Sequence, residues 1–399
     1  MTAAGSHGVS PARLVVVTGK GGVGKTTVAA ATAARAAEHG CRTLVVSTDP
    51  AHSLADVLGR SVGDEPVAVG SGLHGQQLDA RLRLERRWSV LRGYLGELLH
   101  WAGASTLGAE ELTVLPGAEE LLALTAVADE LASDRWDLVV VDCAPTAETM
   151  RLLSLPEVLT WWMDRVLPVG RRVGAVLAPA ARALTGVPVA GAGVWDALGR
   201  LQQDLTTVRD VLTDGERTSV RLVTTAEKVV VAETRRTATY LALFGLHVDA
   251  VVVNRLLPDR VVDPFFDRWR RREAEQLSVL ADGFAPVPVL RASLGDDEPV
   301  GVPALRRLAR EIYGRRRPAE RLHAAERLRL SVEDGATVLD VDLGFAERGA
   351  VELARRGDEL VITVGPYRRA VVLPDQLAGR PVLGGTVRDG RLQVRFGPA

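Results

Sequence analysis

The sequence predicts an α/β protein in which a doubly wound, mostly parallel sheet carries helical insertions and is followed by a small β-sandwich. Short, continuous apolar runs alternate with helical stretches along most of the chain, as in sheets that are buried on both faces. The predicted strands are Leu14–Thr18, Thr43–Ser47, Leu138–Val141, Val220–Thr224, Ala250–Val253 and Val287–Leu290. Nearer the C-terminus, apolar segments separated by Gly and Asp-Gly turns indicate antiparallel strands.

Changes in this pattern set the expected domain boundaries. We expect a disordered lead-in at residues 1–12, the α/β domain at 13–314, an arginine-rich linker at 315–324 and the β-sandwich at 325–399. Two insertions at about 85–133 and 155–215 are rich in Leu, Ala, Trp and Arg and have apolar residues at helical spacing. Their apolar faces either pack on each other or form a groove for another apolar helix.

Composition and charge narrow the class of protein. The 399 residues carry a net charge of −1, which provides no overall attraction to nucleic acid or to an anionic membrane. The two cysteines, Cys41 and Cys143, form neither a C-x-x-C motif nor a disulfide framework, which fits a reducing, cytoplasmic setting. The N-terminus has no signal-peptide pattern, and no segment has the run of about 20 apolar residues that a membrane span needs.

The loop after the first predicted strand carries the most specific functional motif. Residues 19–26 are Gly-Lys-Gly-Gly-Val-Gly-Lys-Thr, which matches the P-loop motif G-x-x-x-x-G-K-[ST] between a strand and a helix. Such a loop wraps backbone N–H groups around phosphates at a helix N-terminus. We therefore expect a P-loop NTPase domain that binds a nucleotide, with Lys25 at the β- and γ-phosphates and Thr26 on Mg²⁺. The expected nucleotide-binding residues of the loop are Gly19, Lys20, Gly21, Gly22, Val23, Gly24, Lys25, Thr26 and Thr27.

The scarcity of lysine directs attention to Lys20. Only Lys20, Lys25 and Lys228 are lysines among the 49 Lys and Arg residues. A compact ammonium group suits a phosphate contact, so Lys20 either is a solvated loop residue or reaches phosphate oxygens. If two copies face each other, it could act on the partner's nucleotide, as an arginine finger does in trans.

Carboxylates follow two other predicted strands at the same edge of the sheet. Asp49 follows the second strand and could orient the water that attacks the γ-phosphate, so we predict a catalytic role for it beside Lys20 and Lys25. His52 in the same loop either acts as a general base or is structural. Asp142 ends the third strand, where a carboxylate can hold Mg²⁺ directly or through water.

Asn254 is the only asparagine of the chain, and it follows the predicted strand Ala250–Val253. Its amide provides both a donor and an acceptor, as the edge of adenine does. We therefore expect it either to hydrogen-bond the base or to serve as a strand-end turn residue.

Three motifs together resemble the ArsA family, which includes arsenite-pump ATPases and the ATPases that deliver tail-anchored membrane proteins. They are residues 20–27 (Lys-Gly-Gly-Val-Gly-Lys-Thr-Thr), 47–53 (Ser-Thr-Asp-Pro-Ala-His-Ser) and 142–146 (Asp-Cys-Ala-Pro-Thr), and the resemblance covers about residues 13–314. It implies that Lys20 acts across a homodimer, that Asp49 lies in switch I and that Asp142 begins switch II. It further implies that Glu227 and Asn254 contact the nucleotide.

The resemblance also concerns partners and the C-terminal tail. In the targeting branch the insertions form an apolar groove in the closed dimer, and the tail here resembles a small heat-shock-protein-like (α-crystallin) domain. The chain departs from the family where switch II continues as Ala147-Glu148 instead of Gly-His. It also lacks the zinc-binding C-x-x-C of the targeting branch and has one P-loop, whereas the best-known pump ATPases have two.

We predict a Mg²⁺-ATP-dependent dimeric ATPase that hydrolyses ATP to handle a hydrophobic client or target it to a membrane. One alternative is the energising subunit of an arsenite or antimonite efflux pump, for which clustered thiolates would be expected. Another is a positioning ATPase of the ParA/MinD type, which would need a terminal amphipathic helix or a basic DNA-binding face. A nucleotide-binding scaffold without turnover is the non-enzymatic alternative.

Overall fold

The α/β domain contains one eight-stranded sheet. Its strands are β1 Arg13–Thr18, β2 Thr43–Ser47, β3 Val67–Gly70, β4 Leu73–Gln77, β5 Leu138–Asp142, β6 Thr218–Thr224, β7 Val248–Leu256 and β8 Val289–Ser293. They lie in the order β3-β4-β2-β5-β1-β6-β7-β8. Only the edge pair β3–β4 is antiparallel, which confirms the predicted doubly wound, mostly parallel sheet. Because β1 lies between β5 and β6, the loop after β1 is at the switch point where such sheets bind ligands.

Helices connect these strands. They are α1 Lys25–Glu38, α2 Ser53–Leu58, α3 Ala118–Ala132, α4 Ala192–Thr213, α5 Lys228–Leu243, α6 Asp267–Phe284 and α7 Val302–Tyr313, with 3₁₀ turns at Pro264–Phe266 and Arg348–Ala350. Alanines fill most of the buried face of α1, so this helix approaches its neighbours closely. Within the part of the chain that is described, no helix is both long and apolar enough to cross a membrane.

The computed structural model describes residues 11–48, 53–79, 118–143, 192–324, 328–333, 336–357, 359–373, 376–377, 379–388 and 390–397, with residues 89, 93–94 and 96–97 in addition. The chain divides into two compact units, Met1–Gln77 with Glu130–Ala144 and Leu212–Ala399, and Leu78–Asp129 with Pro145–Val211. Most of α3 and most of α4 belong to the second unit. Much of the two predicted insertions lies outside the described residues.

The C-terminal residues form two antiparallel sheets. The strands are β9 Leu328–Glu333, β10 Ala336–Asp342, β11 Val351–Arg356, β12 Glu359–Val364, β13 Tyr367–Val372, β14 Val382–Arg388 and β15 Arg391–Phe396. One sheet has the order β14-β15-β10-β9 and the other β11-β12-β13. Leu360, Ile362, Val394 and Phe396 are fully buried at alternate positions of their strands, as in a two-sheet core. This confirms the predicted β-sandwich.

The β-sandwich packs on the C-terminal half of helix α5. The backbone N–H of Phe345 donates to Thr239 Oγ1 at 3.1 Å, and the guanidinium of Arg369 donates to the carbonyl oxygen of Leu243. The ring of Tyr367 lies 4.1 Å from that of Tyr240 between centroids. We call these contacts the α5–sandwich interface, and they fix the sandwich to a helix that begins at the P-loop edge of the sheet.

Residues 315–324, predicted as a linker, are bound to the α/β domain. The guanidinium of Arg221 donates to the carbonyl oxygens of Pro318 at 2.8 Å and Glu320 at 3.2 Å. The backbone N–H of Leu322 donates to Asp249 Oδ2 at 3.2 Å. The connection between the two domains is therefore a hydrogen-bonded segment over much of its length.

Candidate functional site

The P-loop depends on two glycines that approach neighbouring strands closely. Gly19 has φ 153°, and a Cβ at this position would lie 2.1 Å from the carbonyl oxygen of Val223 in β6. Gly24 has φ 91°, and its Cβ would lie 2.4 Å from Asn254 Nδ2. A side chain at position 19 would collide with the backbone of β6, and position 24 has a left-handed conformation that side chains rarely adopt, so both positions favour glycine.

Helix α1 begins directly at the end of this loop. No side chain caps its N-terminus, because its N-cap residue is Gly24. The first N–H groups of the helix and its positive dipole end are therefore available to an anion. Lys25 Nζ donates to the carbonyl oxygen of Lys20 at 3.3 Å, so this ammonium lies across its own loop. A phosphate group bound in the loop could replace that carbonyl oxygen as the acceptor.

Four oxygen-bearing side chains meet beside the loop. Thr26 Oγ1 donates to Asp142 Oδ2 at 2.6 Å, and Ser47 Oγ donates to the same carboxylate oxygen at 3.2 Å. Ser53 Oγ lies 3.1 Å from Thr26 Oγ1. Asp142 is almost fully buried, and hydroxyl and carboxylate oxygens are the ligand types that Mg²⁺ prefers. The structure thus brings together the two residues predicted to hold Mg²⁺, Thr26 and Asp142, and adds Ser47 and Ser53 to them.

Asp49 and His52, like residues 144–150 of the predicted switch II, lie outside the described residues. The residue before Asp49 is described. Thr48 donates its backbone N–H to the carbonyl oxygen of Asp142 at 3.1 Å. The chain therefore leaves β2 beside the carboxylate predicted to hold Mg²⁺, and the role of Asp49 stays a prediction.

Asn254 contacts the P-loop itself. Its Nδ2 donates to the carbonyl oxygen of Val23 at 2.9 Å, and the residue is nearly buried. This contact shapes the loop, a role that the sequence did not indicate, while the predicted contact with the base stays a prediction. Glu227, which the resemblance places at the nucleotide, is the exposed N-cap of α5 and accepts a hydrogen bond from Thr225 Oγ1.

Arg255 also contacts the P-loop, and the sequence motifs did not select it as a site residue. Its Nη1 donates to the carbonyl oxygen of Gly22 at 2.8 Å. Its φ of 59° is unusual for a residue other than glycine, and such strained positions concentrate at functional sites. The available signal was its position directly after Asn254 at the end of an apolar strand. Together Asn254 and Arg255 hold two consecutive carbonyl groups of the P-loop.

The profile of the ArsA family of anion-transporting ATPases matches residues 12–314. The chain belongs to this family. A second profile, the HSP20-like domain found in ArsA, matches residues 334–396 and covers most of the β-sandwich. Both matches agree with the resemblance that the sequence motifs indicated.

Several relatives of this ArsA-family chain span nearly its whole length. A protein of Prosthecochloris vibrioformis, provisionally named an arsenical pump-driving ATPase, is 35% identical over 96% of both chains. Protein Rv2184c of Mycobacterium tuberculosis is 37% identical over 97% of this chain and 96% of its own. ATPase GET3B of Arabidopsis thaliana is 31% identical over 74% of this chain and 77% of its own. The similarity therefore extends both to a relative named for arsenical pumps and to one named GET3B.

Thiols do not cluster in this member of the ArsA family. Cys41 is partly buried, and burial raises the pKa of its thiol, whereas Cys143 is buried after β5. Across the described ranges, no group of three or more His, Cys, Asp or Glu residues is arranged to hold a metal ion. The oxygen cluster around Asp142 differs from such a group because three of its four side chains carry hydroxyls.

The second P-loop lysine has a partner within its own chain. Lys20 Nζ lies 3.0 Å from Glu233 Oε2, and the two side chains are 37% and 39% exposed. Glu233 lies on α5, next to the buried Thr234, whose Oγ1 donates to Thr224 Oγ1 at 2.9 Å. This contact fixes the helix to the end of β6, so Glu233 faces the P-loop.

Proposed function

We propose that this ArsA-family protein binds Mg²⁺-ATP at the carboxyl edge of the sheet and hydrolyses it to ADP and phosphate. The observation that carries the proposal is the hydrogen-bonded oxygen cluster of Thr26, Ser47 and Asp142 next to the P-loop. Its residues fit Mg²⁺, which would neutralise charge on the phosphate oxygens when bound. Thr26 and Asp142 would hold the ion, directly or through water.

The proposed roles of the other residues follow from charge and position. Lys25 and the first N–H groups of α1 would hold the β- and γ-phosphates, and Lys20 would neutralise charge that develops during phosphoryl transfer. Asp49 would orient the attacking water. Such a site needs no covalent intermediate, because phosphoryl transfer depends mainly on positioning and electrostatic stabilisation.

We further propose that the protein is a cytoplasmic homodimer that handles a hydrophobic client. The apolar stripes in the insertions at about 85–133 and 155–215 support a groove for an apolar segment. The family membership supports a dimer in which Lys20 acts on the partner's nucleotide. The match to an HSP20-like domain supports a role with client proteins.

Energising an arsenite or antimonite pump is the second candidate function. Relatives named for arsenical pumps favour it. Soft metalloids prefer clustered thiolates, however, and the chain has only Cys41 and Cys143. We therefore rank client handling first.

Steady-state ATP hydrolysis tests both candidates. The purified protein is assayed alone, with antimonite, and with a soluble apolar-helix peptide, with a polar helix of equal length as the peptide control. Asp49→Asn is the matched enzyme control, since it should still bind ATP but barely hydrolyse it. We expect Mg²⁺-dependent hydrolysis that the apolar peptide stimulates.

Each contrary result has a separate meaning. Stimulation by antimonite alone would favour the pump function. ATP binding without turnover under any condition would contradict the ATPase and leave a nucleotide-binding scaffold. A strict monomer by light scattering in the presence of Mg²⁺-ATP would contradict the role of Lys20 in trans.

A further inference from the structure

The ion pair between Lys20 and Glu233 conflicts with the proposed function of Lys20. While Lys20 lies 3.0 Å from Glu233, the carboxylate offsets the charge that the ammonium would direct to a phosphate in the partner subunit. The carboxylate of Glu233 also repels the phosphates of a nucleotide bound in the P-loop. Opening of this pair therefore favours both the binding of ATP and the engagement of Lys20 with a phosphate.

The position of Glu233 is set by helix α5, which is held at both ends. Near the P-loop, the helix packs against the sheet through the buried residues Val230, Val231 and Thr234. At the other end, the α5–sandwich interface holds it through Thr239, Tyr240 and Leu243. A helix rises about 1.5 Å per residue, so the two contact regions are only about 10 Å apart along one rigid element.

A second contact links the interface to the neighbourhood of Glu233. The guanidinium of Arg235, two residues after Glu233, lies 4.7 Å from the ring centroid of Phe345 in the β-sandwich domain. Cation–π contacts of this kind are favourable. A displacement of the β-sandwich would therefore act on the turn of α5 that carries Glu233.

We propose that Glu233 is a positioning residue that retains Lys20 within its own subunit, and that α5 couples this ion pair to the docking of the β-sandwich. The inference rests on the proposed phosphate role of Lys20. The pair favours the state in which the lysine is withdrawn, and docking of the β-sandwich stabilises that state. Loosening the β-sandwich releases Lys20 and promotes ATP binding.

Amine labelling tests the ion pair without relying on ATP hydrolysis. The three lysines of the chain allow Lys20 and Lys228 to be followed separately by mass spectrometry after brief treatment with acetic anhydride. Glu233→Gln should raise the labelling rate of Lys20 relative to the exposed Lys228 by about two- to fivefold, the range expected for loss of an exposed ion pair. Glu275→Gln, an exposed carboxylate on α6, is the control and should change nothing.

Kinetics provide a second readout of the same variant. Glu233→Gln should raise kcat/KM for ATP by a similar factor, because Lys20 no longer has to leave Glu233 before it engages a phosphate. Substitution of a residue with only a structural role would change the free energy of unfolding and leave kcat/KM unaltered. If the protein has no ATPase activity at all, the labelling experiment still decides whether Glu233 holds Lys20.

The coupling to the β-sandwich is tested with Arg369→Gln, which weakens the α5–sandwich interface. Folding is checked by circular dichroism. We expect faster labelling of Lys20 in this variant and no further increase in the double variant with Glu233→Gln, because both changes open the same pair. Unchanged labelling of Lys20 in Glu233→Gln would overturn the proposal. Unchanged labelling in a folded Arg369→Gln variant, or fully additive effects, would overturn the coupling.

Discussion

The buried ion pair of Arg221 and Asp249 and the lysines of the P-loop differ in the partners of their charged groups. Arg221 and Asp249 are completely buried, and the guanidinium also donates to Tyr313 and to backbone carbonyls of residues 318 and 320. Burial lowers the pKa of Arg221, but Asp249 and Tyr313 outweigh this effect and the net shift is upward. At the P-loop, by contrast, Lys25 donates to the carbonyl oxygen of Lys20, and Lys20 pairs with a half-exposed carboxylate.

This contrast separates a structural network from a binding site. The Arg221 network is closed, since its partners belong to the same folded unit and exclude solvent. The lysines of the P-loop have partners that a phosphate can replace, and the N-terminus of α1 has no side-chain cap. Substitutions in the Arg221 network should therefore lower the free energy of unfolding. Substitutions of the P-loop lysines should instead weaken the binding or hydrolysis of the nucleotide.

Lys25→Ala should have the largest effect. We expect ATP hydrolysis to fall by about 100-fold or more, since removal of one charge-stabilising donor has this magnitude. The free energy of unfolding should change by only about 0.5 kcal/mol, as for other substitutions outside the core. Steady-state hydrolysis and urea unfolding measure the two quantities. Lys228→Ala is the control, and normal activity of Lys25→Ala would refute the site.

Asp249→Ala should show the opposite pattern. It leaves Arg221 buried without its carboxylate, which costs about 3–5 kcal/mol of stability. Asp296→Ala removes the partner of Arg260 in a highly exposed ion pair and should cost about 1 kcal/mol or less. Urea unfolding compares the two. Equal effects would break the distinction between the buried network and the exposed pair.

Asn254→Ala should have a smaller effect and would separate its two roles. Loss of the hydrogen bond to the carbonyl oxygen of Val23 should weaken nucleotide binding about tenfold. Calorimetry with ATP and with inorganic triphosphate, which has no base, distinguishes a role in shaping the P-loop from a contact with the adenine. We expect both affinities to fall, because the contact with Val23 shapes the loop. A loss for ATP alone would instead indicate that Asn254 acts on the adenine.

Glu38 should make a small contribution to the pH dependence of the free energy of unfolding. Hydrogen bonds from Arg35 and Arg310 hold the pKa of its carboxyl below the ordinary value. A carboxyl with a lowered pKa in the folded state stabilises the fold above its unfolded pKa and loses that contribution as pH falls through the folded pKa. Thermal unfolding at mildly acidic pH should therefore depend less on pH in Glu38→Gln than in the wild type. Equal pH dependence would show that this ion pair contributes nothing.

Much of the sheet could be predicted because its strands are short valine-rich runs. Thr43–Ser47 was predicted with the bounds that the structure shows, and β1 and β5 differ by one residue. The edge pair β3–β4 was missed because its second strand ends in Gln76 and Gln77, polar residues that the tertiary fold buries. No local pattern in the sequence indicates such burial.

The candidate site could be predicted only in part. The motifs predict Thr26 and Asp142 at one edge of the sheet, and in the structure Thr26 Oγ1 lies 2.6 Å from Asp142 Oδ2. The pairing of Lys20 with Glu233 and the contact of Arg255 with Gly22 join segments more than 200 residues apart in the chain. Such contacts depend on strand order, which the sequence motifs do not specify.

Calorimetric titration of ATP into the wild-type protein and into Thr26→Ala, each with and without Mg²⁺, tests directly whether the Thr26–Asp142 cluster is the Mg²⁺-ATP site. We expect the wild-type protein to bind ATP tightly and to bind it less tightly when Mg²⁺ is removed. In Thr26→Ala, Mg²⁺ should make little difference to the affinity for ATP. Binding that is equally tight without Mg²⁺, or no binding at all, would contradict the assignment of the Thr26–Asp142 cluster as the Mg²⁺-ATP site.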